Sequence, residues 1–109
     1  MVTGGAGFLG SHLIRRLGHM GYRNVYVPTQ SKYDLTHIDA VERLFDEHRP
    51  EILIHLAAVV GGIGANLANP GRFFFDNAIM GIQLIEAARR HKVEKTVVLG
   101  TICAYPKFT

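Results

Sequence analysis

A glycine-rich string near the start of the chain has the composition of a phosphate-binding turn. Residues 2–10 read Val-Thr-Gly-Gly-Ala-Gly-Phe-Leu-Gly, and two glycine spacings overlap there, Gly5-x-Gly7-x-x-Gly10 and Gly4-x-x-Gly7-x-x-Gly10. Glycine permits a tight turn after a strand and a close approach of backbone to pyrophosphate, and the next helix offers unpaired N–H groups to the anion. We therefore predict that this turn binds the phosphates of a dinucleotide. The predicted contacts are Gly4, Gly5, Ala6, Gly7, Phe8, Leu9 and Gly10.

A second polar stretch, Pro28-Thr29-Gln30-Ser31-Lys32, bears on which dinucleotide is bound. Enzymes that use NAD commonly place an acidic side chain after the second strand, where it holds the ribose hydroxyls. This stretch has no carboxylate, so nothing in it would repel a 2′-phosphate, and Lys32 could pair with that group. The stretch favours NADP(H) as cofactor, with Lys32 as a binding residue. The alternative is that Lys32 is an ordinary solvated charge.

Alternating periodicities predict the elements that position these residues. Strands are expected at residues 2–3, 24–27, 52–56 and 96–99. Three helices are expected. The first covers residues 10–20, the second follows a capping box formed by Thr36 and Asp39, and the third covers residues 70–91 with Asn69 as its N-cap. Residues 57–69 are expected to form a loop.

The resulting order, β-α-β-α-β-α-β, predicts an α/β fold with a Rossmann-like, doubly wound parallel sheet and right-handed crossovers. In such sheets ligands bind at the carboxyl ends of the strands. Functional residues are therefore expected in four loops, 4–10, 28–35, 57–69 and 100–109.

The predicted core rests on two strands and one long helix. The strands at 52–56 and 96–99 are almost continuously apolar, as expected for strands covered on both faces, and His55 is interpreted as a satisfied core residue. The long helix is expected to place one apolar stripe inward. That stripe is Phe74, Ala78, Ile82, Ile85 and Ala88.

Length and composition narrow the classes of function. The chain has 109 residues, 48% of them hydrophobic, and a net charge of +3, which suits one small domain. Its cationic residues are dispersed, and no apolar run approaches the roughly 20 residues of a membrane span, so we predict neither a nucleic-acid nor a membrane partner. A lone cysteine and the absence of a signal peptide favour the cytoplasm. No histidine pair has metal-ligand context, so no metal is predicted.

Three further strings carry a resemblance to a known family. They are His55-Leu56-Ala57-Ala58, Val60-Gly61-Gly62-Ile63-Gly64-Ala65-Asn66 and Leu99-Gly100-Thr101-Ile102-Cys103-Ala104-Tyr105-Pro106-Lys107. With Tyr33-Asp34-Leu35 and the glycine turn, they resemble the GDP-L-fucose synthase family of extended short-chain dehydrogenases, within the NAD-dependent epimerase/dehydratases. The resemblance runs over all 109 residues and covers the N-terminal third of that family.

The resemblance implies a 3,5-epimerisation of a GDP-4-keto-6-deoxy-mannose followed by reduction of its ketone with NADPH. Cys103 would be the epimerisation base, and Thr101 would donate a hydrogen bond to the ketone oxygen. The alternatives without a catalytic role are a buried small hydrophobe for Cys103 and a strand-end hydroxyl bonded to its own backbone for Thr101. The further cofactor contacts implied are Asp34, Leu35, Leu56, Ala57, Ala58, Leu99, Gly100 and Thr101.

Part of the family pattern is missing from these 109 residues. The catalytic Tyr-x-x-x-Lys pair and the substrate domain do not occur, and the first strand is short. We therefore expect residues 1–109 to be part of a larger, homodimeric enzyme that acts on a nucleotide sugar, and we do not expect this chain alone to complete turnover. Two alternatives stay open: another sugar-nucleotide epimerase or dehydratase, and a non-catalytic dinucleotide-binding module.

Overall fold

The computed structural model describes residues 1–101 and 104–106. Its elements are β1 (Val2–Thr3), α1 (Phe8–His19), α2 (Ile38–His48), β2 (Ile52–His55), α3 (Ile63–Ala68), α4 (Pro70–Arg90) and β3 (Lys95–Val98). The strands form one parallel sheet in the order β1-β2-β3. The predicted α/β class with a parallel sheet is confirmed. In the described ranges, no helix is both long enough and apolar enough to cross a membrane.

The three strands end at the same level of the sheet. Thr3 is paired with His55, and His55 is paired in turn with Val98. The segments that leave the carboxyl ends of the strands therefore emerge side by side. This register places the glycine turn next to the segment that follows β2.

The strand expected at residues 24–27 is not formed, and that prediction is wrong. The segment does run beside β1, because the N–H of Val2 donates to the carbonyl oxygen of Tyr26 at 2.9 Å. A β1 of two residues offers too short an edge for a ladder of consecutive bonds. The segment therefore lies where the strand was expected, as extended chain without strand pairing.

The helices differ from the predicted ones in three respects. The N-cap of α2 is His37, not Thr36, because the Thr36 hydroxyl donates to Oδ1 of Asp34 at 2.7 Å instead. Helix α3 occupies part of the segment that was predicted to be a loop. Asn69 precedes α4 as expected, but its side chain makes no capping bond.

The core forms between the sheet, α2 and α4, and the long helix turns a different face inward from the one predicted. Its side chains come from the 33–35 segment, α2, β2 and α4: Tyr33, Leu35, Val41, Leu44, Phe45, Leu53, Met80, Leu84, Ala87 and Ala88. Of the predicted stripe only Ala88 is buried, while Phe74, Ile82 and Ile85 are 78%, 63% and 51% exposed. That prediction is wrong because α4 is apolar on two faces, and only packing against α2 decides between them.

The two strands expected to be covered on both faces are also more exposed than predicted. In β2, Leu53 and His55 are buried, whereas Ile52 is 45% exposed. Every residue of β3 is exposed. β3 lies at one edge of the described sheet and β1 at the other, where both residues of β1 are buried.

Candidate cofactor site

The glycine turn packs closely against the end of β2. Gly4 adopts a φ of +70°, a conformation that side chains disfavour, and a Cβ built on it would lie 2.6 Å from the amide nitrogen of Ala57. A Cβ on Gly10 would lie 2.1 Å from the carbonyl oxygen of Gly4. The turn therefore has room for no side chain at either position, and α1 begins directly against it.

The N terminus of α1 is open to an anion. The N-cap residue is Gly7, which has no side chain to cap the helix, and the first turn of the helix has no acidic residue. The first N–H groups of a helix lack intrahelical partners, and the helix dipole favours negative charge there. This end of α1 can therefore receive a phosphate group.

A pocket of about 730 Å³ lies over the carboxyl ends of β1 and β2. Its volume falls within the usual range for ligand pockets, about 300–1,000 Å³. It brings together twelve of the residues predicted to bind a cofactor: Gly4, Ala6, Gly7, Phe8, Leu9, Gly10, Asp34, Leu35, Leu56, Ala57, Ala58 and Leu99. The structure places these residues on one cavity, and their role in binding remains a prediction.

Four residues predicted as cofactor contacts lie elsewhere. Gly5 faces the side chain of Val27, since its Cβ would be 2.7 Å from Cγ1 of that residue. Lys32 and Gly100 are not among the residues that line the pocket. Thr101 lies on the wall of a second, more open concavity, which Asn77 of α4 also lines.

Lys32 is engaged by an acidic residue that the sequence did not associate with it. Its Nζ lies 3.8 Å from Oε2 of Glu47 in α2, and Nε of Arg43 lies 3.8 Å from the other oxygen of that carboxylate. The hydroxyl of Tyr33 donates a hydrogen bond to Glu47. This bond, helped by Lys32 and Arg43, lowers the pKa of the Glu47 carboxyl. A 2′-phosphate would thus compete with Glu47 for Lys32.

Asp34 is held in place by its own loop. Its Oδ1 accepts hydrogen bonds from the backbone N–H of Thr36 at 3.0 Å and from the hydroxyl of the same residue at 2.7 Å. These two bonds lower the pKa of Asp34, so the carboxylate stays charged at neutral pH. The neighbouring Leu35 is anchored as well, because its carbonyl accepts a bond from the buried Gln83 amide at 2.9 Å.

The segment after β2 is fixed by Asn77 of α4. The side-chain oxygen of Asn77 accepts from the N–H of Val59 at 2.7 Å, and its NH₂ group donates to the carbonyl of Val59 at 2.9 Å. One side chain therefore satisfies both polar groups of one backbone residue. This clamp attaches α4 to the wall of the pocket.

His55 is a core residue, as predicted. It is 6% exposed, its Nδ1 lies 2.7 Å from Oγ1 of Thr3, and burial lowers its pKa. The Thr3 oxygen also accepts from the N–H of Ala57 at 3.4 Å. The neutral imidazole therefore joins the ends of β1 and β2.

Sequence reasoning missed the contribution of α4 to the pocket. Arg72, Asp76 and Met80 line it, although no sequence motif indicated a role for them. The available signal was topological: α4 connects two parallel strands, so its N-terminal end must lie at their carboxyl edge. Cys103, the predicted base, lies outside the described residues. Within the described ranges no group of three or more acidic, histidine or cysteine side chains could hold a metal.

Known proteins resemble this chain in sequence. A GDP-L-fucose synthase from Azorhizobium caulinodans is 36% identical over 106 residues, covering 97% of this chain and 34% of that protein. A GDP-L-colitose synthase from Yersinia pseudotuberculosis is 34% identical over 107 residues, covering 98% and 34%. The chain therefore spans about a third of the length of the curated relatives it matches.

Solved structures of GDP-sugar enzymes have a fold similar to that of this chain. A GDP-D-glycero-L-gluco-heptose synthase from Campylobacter jejuni, determined in the presence of NADPH, matches with a TM-score of 0.93 at 28% identity over 99% of this chain and 32% of that one. A GDP-L-fucose synthetase from Naegleria fowleri bound to NADP matches with a TM-score of 0.83 at 27% identity, covering 99% and 32%.

The family assignment rests on the whole chain. The sequence profile described as the NAD dependent epimerase/dehydratase family matches residues 1–109. The relatives named above are synthases of GDP-sugars, and the solved structures share the fold described here. Since the profile match extends from the glycine turn through α4 to the last residue, the chain belongs to the NAD dependent epimerase/dehydratase family.

Proposed function

We propose that this chain is the cofactor-binding part of an NADPH-dependent enzyme that converts GDP-4-keto-6-deoxy-mannose to GDP-L-fucose by 3,5-epimerisation and 4-reduction. The observation that carries the proposal is the pocket in which the glycine turn, Asp34 and the Leu56–Ala58 segment meet. The identity to GDP-L-fucose synthases and the likeness to NADP-bound structures support it.

The residues of the pocket fit a dinucleotide. Gly4 and Gly10 line the pocket and carry no Cβ, so the backbone of the turn and the open end of α1 form the surface offered to a pyrophosphate. The choice of NADP(H) rests on residues 28–32, which include no carboxylate. Glu47 reduces the charge available to a 2′-phosphate, since it already pairs with Lys32.

The chemistry proposed for this chain falls on two residues. The bound cofactor would supply hydride for the reduction of the ketone. The Thr101 hydroxyl would donate a hydrogen bond to the ketone oxygen, which stabilises the negative charge that develops there. The thiolate of Cys103 would remove the proton from a carbon next to the ketone, a role that suits a thiol whose pKa lies near neutrality.

Titration of the 109-residue chain with NADPH and NADH tests the cofactor. We expect NADPH to bind more tightly than NADH, and Lys32→Ala to reduce that preference. Lys95→Ala, at an exposed position in β3, is the matched control. A preference for NADH would contradict the assignment and favour an epimerase of the kind represented by the UDP-glucose 4-epimerase of Thermus thermophilus, solved with NAD.

The roles of Cys103 and Thr101 are tested in the complete enzyme. Cys103→Ser should abolish incorporation of solvent deuterium into the sugar while NADPH binding is retained. Thr101→Val should slow reduction, and Thr101→Ser should preserve it because the hydroxyl remains. Unchanged deuterium incorporation in Cys103→Ser would exclude this residue as the base. A complete protein that binds NADPH but turns over no sugar nucleotide would support the non-catalytic binding module.

We also propose that the complete enzyme is a cytoplasmic homodimer. Phe74, Ile82 and Ile85 expose an apolar stripe on α4, and such stripes are commonly covered by another protein surface. Light scattering of the complete enzyme over a range of concentrations would measure its mass. A monomeric mass at every concentration would contradict the dimer.

A further inference from the structure

We infer that Arg72 binds the pyrophosphate of the dinucleotide from the side opposite the glycine turn. The inference deepens the proposed function and rests on it. Among the described side chains that line the pocket, Arg72 carries the only positive charge, against the two carboxylates of Asp34 and Asp76. These three side chains sum to one negative charge, and without Arg72 the pyrophosphate of a dinucleotide would meet two.

The topology places Arg72 at the correct edge of the sheet. Helix α4 connects the parallel strands β2 and β3, so it runs against the strand direction and begins at their carboxyl edge. Asn77 fixes this end of the helix to Val59. Arg72 lies five residues before Asn77, or about 7.5 Å along the helix axis towards the N terminus. The anchor point therefore holds the Arg72 turn beside the pocket.

Asp76 positions the guanidinium without using all of its donors. Nε of Arg72 donates to Oδ2 of Asp76 at 3.3 Å, and the two residues are one helical turn apart. Guanidinium has five N–H donors, and the bond to Asp76 uses only the one on Nε. The terminal NH₂ groups can therefore bind phosphate oxygens while the stem stays attached to α4.

Of the phosphates in NADP(H), the pyrophosphate is the one that Arg72 reaches. Residues 6–10 of the glycine turn and Arg72 line the same pocket, and the open end of α1 already marks the position of the pyrophosphate. The 2′-phosphate is expected near Lys32, which does not line this pocket. The two cations would thus act on different phosphates.

The test compares three nucleotides on the 109-residue chain at low ionic strength. NADPH and NADH carry a pyrophosphate, whereas adenosine 2′-monophosphate (2′-AMP) carries the 2′-phosphate and no 5′-phosphate. We expect Arg72→Ala to weaken the binding of NADPH and NADH by about tenfold each, the size of one charge-assisted hydrogen bond, and to change the binding of 2′-AMP by less than about twofold. Arg72→Lys should recover part of the loss. The loss of affinity caused by Arg72→Ala should be smaller at high salt, because salt screens the contact between the exposed Arg72 and the phosphate.

The matched control is Arg89→Ala. Arg89 is also an exposed arginine of α4 in an ion pair with an acidic residue of the same helix, at the opposite end. Equal losses for both variants, or no loss for Arg72→Ala, would overturn the inference. A loss confined to NADPH and 2′-AMP would also overturn it, because Arg72 would then contact the 2′-phosphate. If the wild-type chain binds none of the nucleotides, the proposed function fails first and this inference fails with it.

Discussion

Alanine substitution should have opposite effects at two glycines of the same helix. A Cβ on Gly10 would lie 2.1 Å from the carbonyl oxygen of Gly4 and 2.5 Å from Cα of Gly5. Ordinary contact between such atoms is about 3.5 Å, so the first turn of α1 would have to move away by more than about 1 Å. At Gly18, also in α1, no heavy atom lies within 4 Å of the added Cβ.

These distances set the expected sizes of the two effects. Gly18→Ala should raise the free energy of unfolding by about 0.5–1 kcal/mol, because alanine has the higher helix propensity. Gly10→Ala has the same propensity gain, but the clash involves backbone atoms of the turn, which cannot rotate away. Overpacking typically costs about 1–3 kcal/mol and occasionally more. We expect a net loss of about 2 kcal/mol for Gly10→Ala.

Urea unfolding followed by circular dichroism measures both effects. With a slope of about 1–2 kcal/mol per molar urea, Gly10→Ala should lower the midpoint by about 1–2 M. NADPH titration of the same variants should show at least about a tenfold loss of affinity for Gly10→Ala, because α1 has moved from the phosphate position. Gly18→Ala should keep wild-type affinity. A Gly10→Ala chain with an unchanged midpoint and unchanged affinity would refute the packing of α1 against the turn.

Three further predictions concern side chains around the pocket. Asn77→Ala removes two hydrogen bonds to one backbone residue and should lower the free energy of unfolding, measured in urea, by about 1–3 kcal/mol. Asn66→Ala also removes side-chain bonds to backbone, but at an exposed position in α3, and should lower that free energy by less than about 0.5 kcal/mol. Burial lowers the pKa of His55, so the unfolded chain binds its proton more readily. Stability from this group should be fully present above about pH 7 and fall as the pH drops below about 6.5, a decline that His55→Gln should flatten in pH-dependent melts. Thr36→Val removes the hydroxyl bond and keeps the backbone N–H bond, so it should raise the pKa of Asp34, measured by NMR titration, and an unchanged pKa would exclude the hydroxyl bond as a cause of the lowering.

The position of the glycine turn could be predicted from sequence because its requirements are local. The glycine spacing fixes where the backbone must turn and where no side chain fits, and Gly4 and Gly10 meet those requirements in the structure. The strand ends could be placed for a similar reason, because βαβ units leave few topologies. The boundaries were less predictable: β1 and the 24–27 segment share too short an edge for a ladder.

The environment of Lys32 could not be predicted, because it depends on residues far along the chain. Glu47 lies 15 residues after Lys32, and only the packing of α2 beside the 29–33 loop brings their charges to 3.8 Å. No local pattern encodes that distance. The absence of a carboxylate from residues 28–32 is therefore a weaker argument for NADP(H) than it is in the sequence alone.

The inward face of α4 was predicted wrongly because that face includes polar residues of the pocket. Arg72, Asp76, Met80 and Gln83 lie at helical spacing on one face of α4, and the apolar stripe that begins at Phe74 lies about 200° away, since each residue turns the helix by about 100°. The face towards the pocket includes two charges and an amide, so a rule that selects the most apolar face discards it. Its polar members are not misplaced surface residues, because Arg72 and Asp76 line the pocket and Gln83 is buried.

The same face makes α4 the element on which the geometry of the pocket depends. Gln83 anchors the 34–36 loop through the carbonyl of Leu35, and Asn77 anchors the segment after β2 through Val59. Both segments line the pocket, so one helix that is bonded to each of them fixes the separation between them. Displacement of α4 would therefore change both segments and the position of Arg72 together. Substitutions that loosen either anchor should lower nucleotide affinity even though neither Asn77 nor Gln83 lines the pocket.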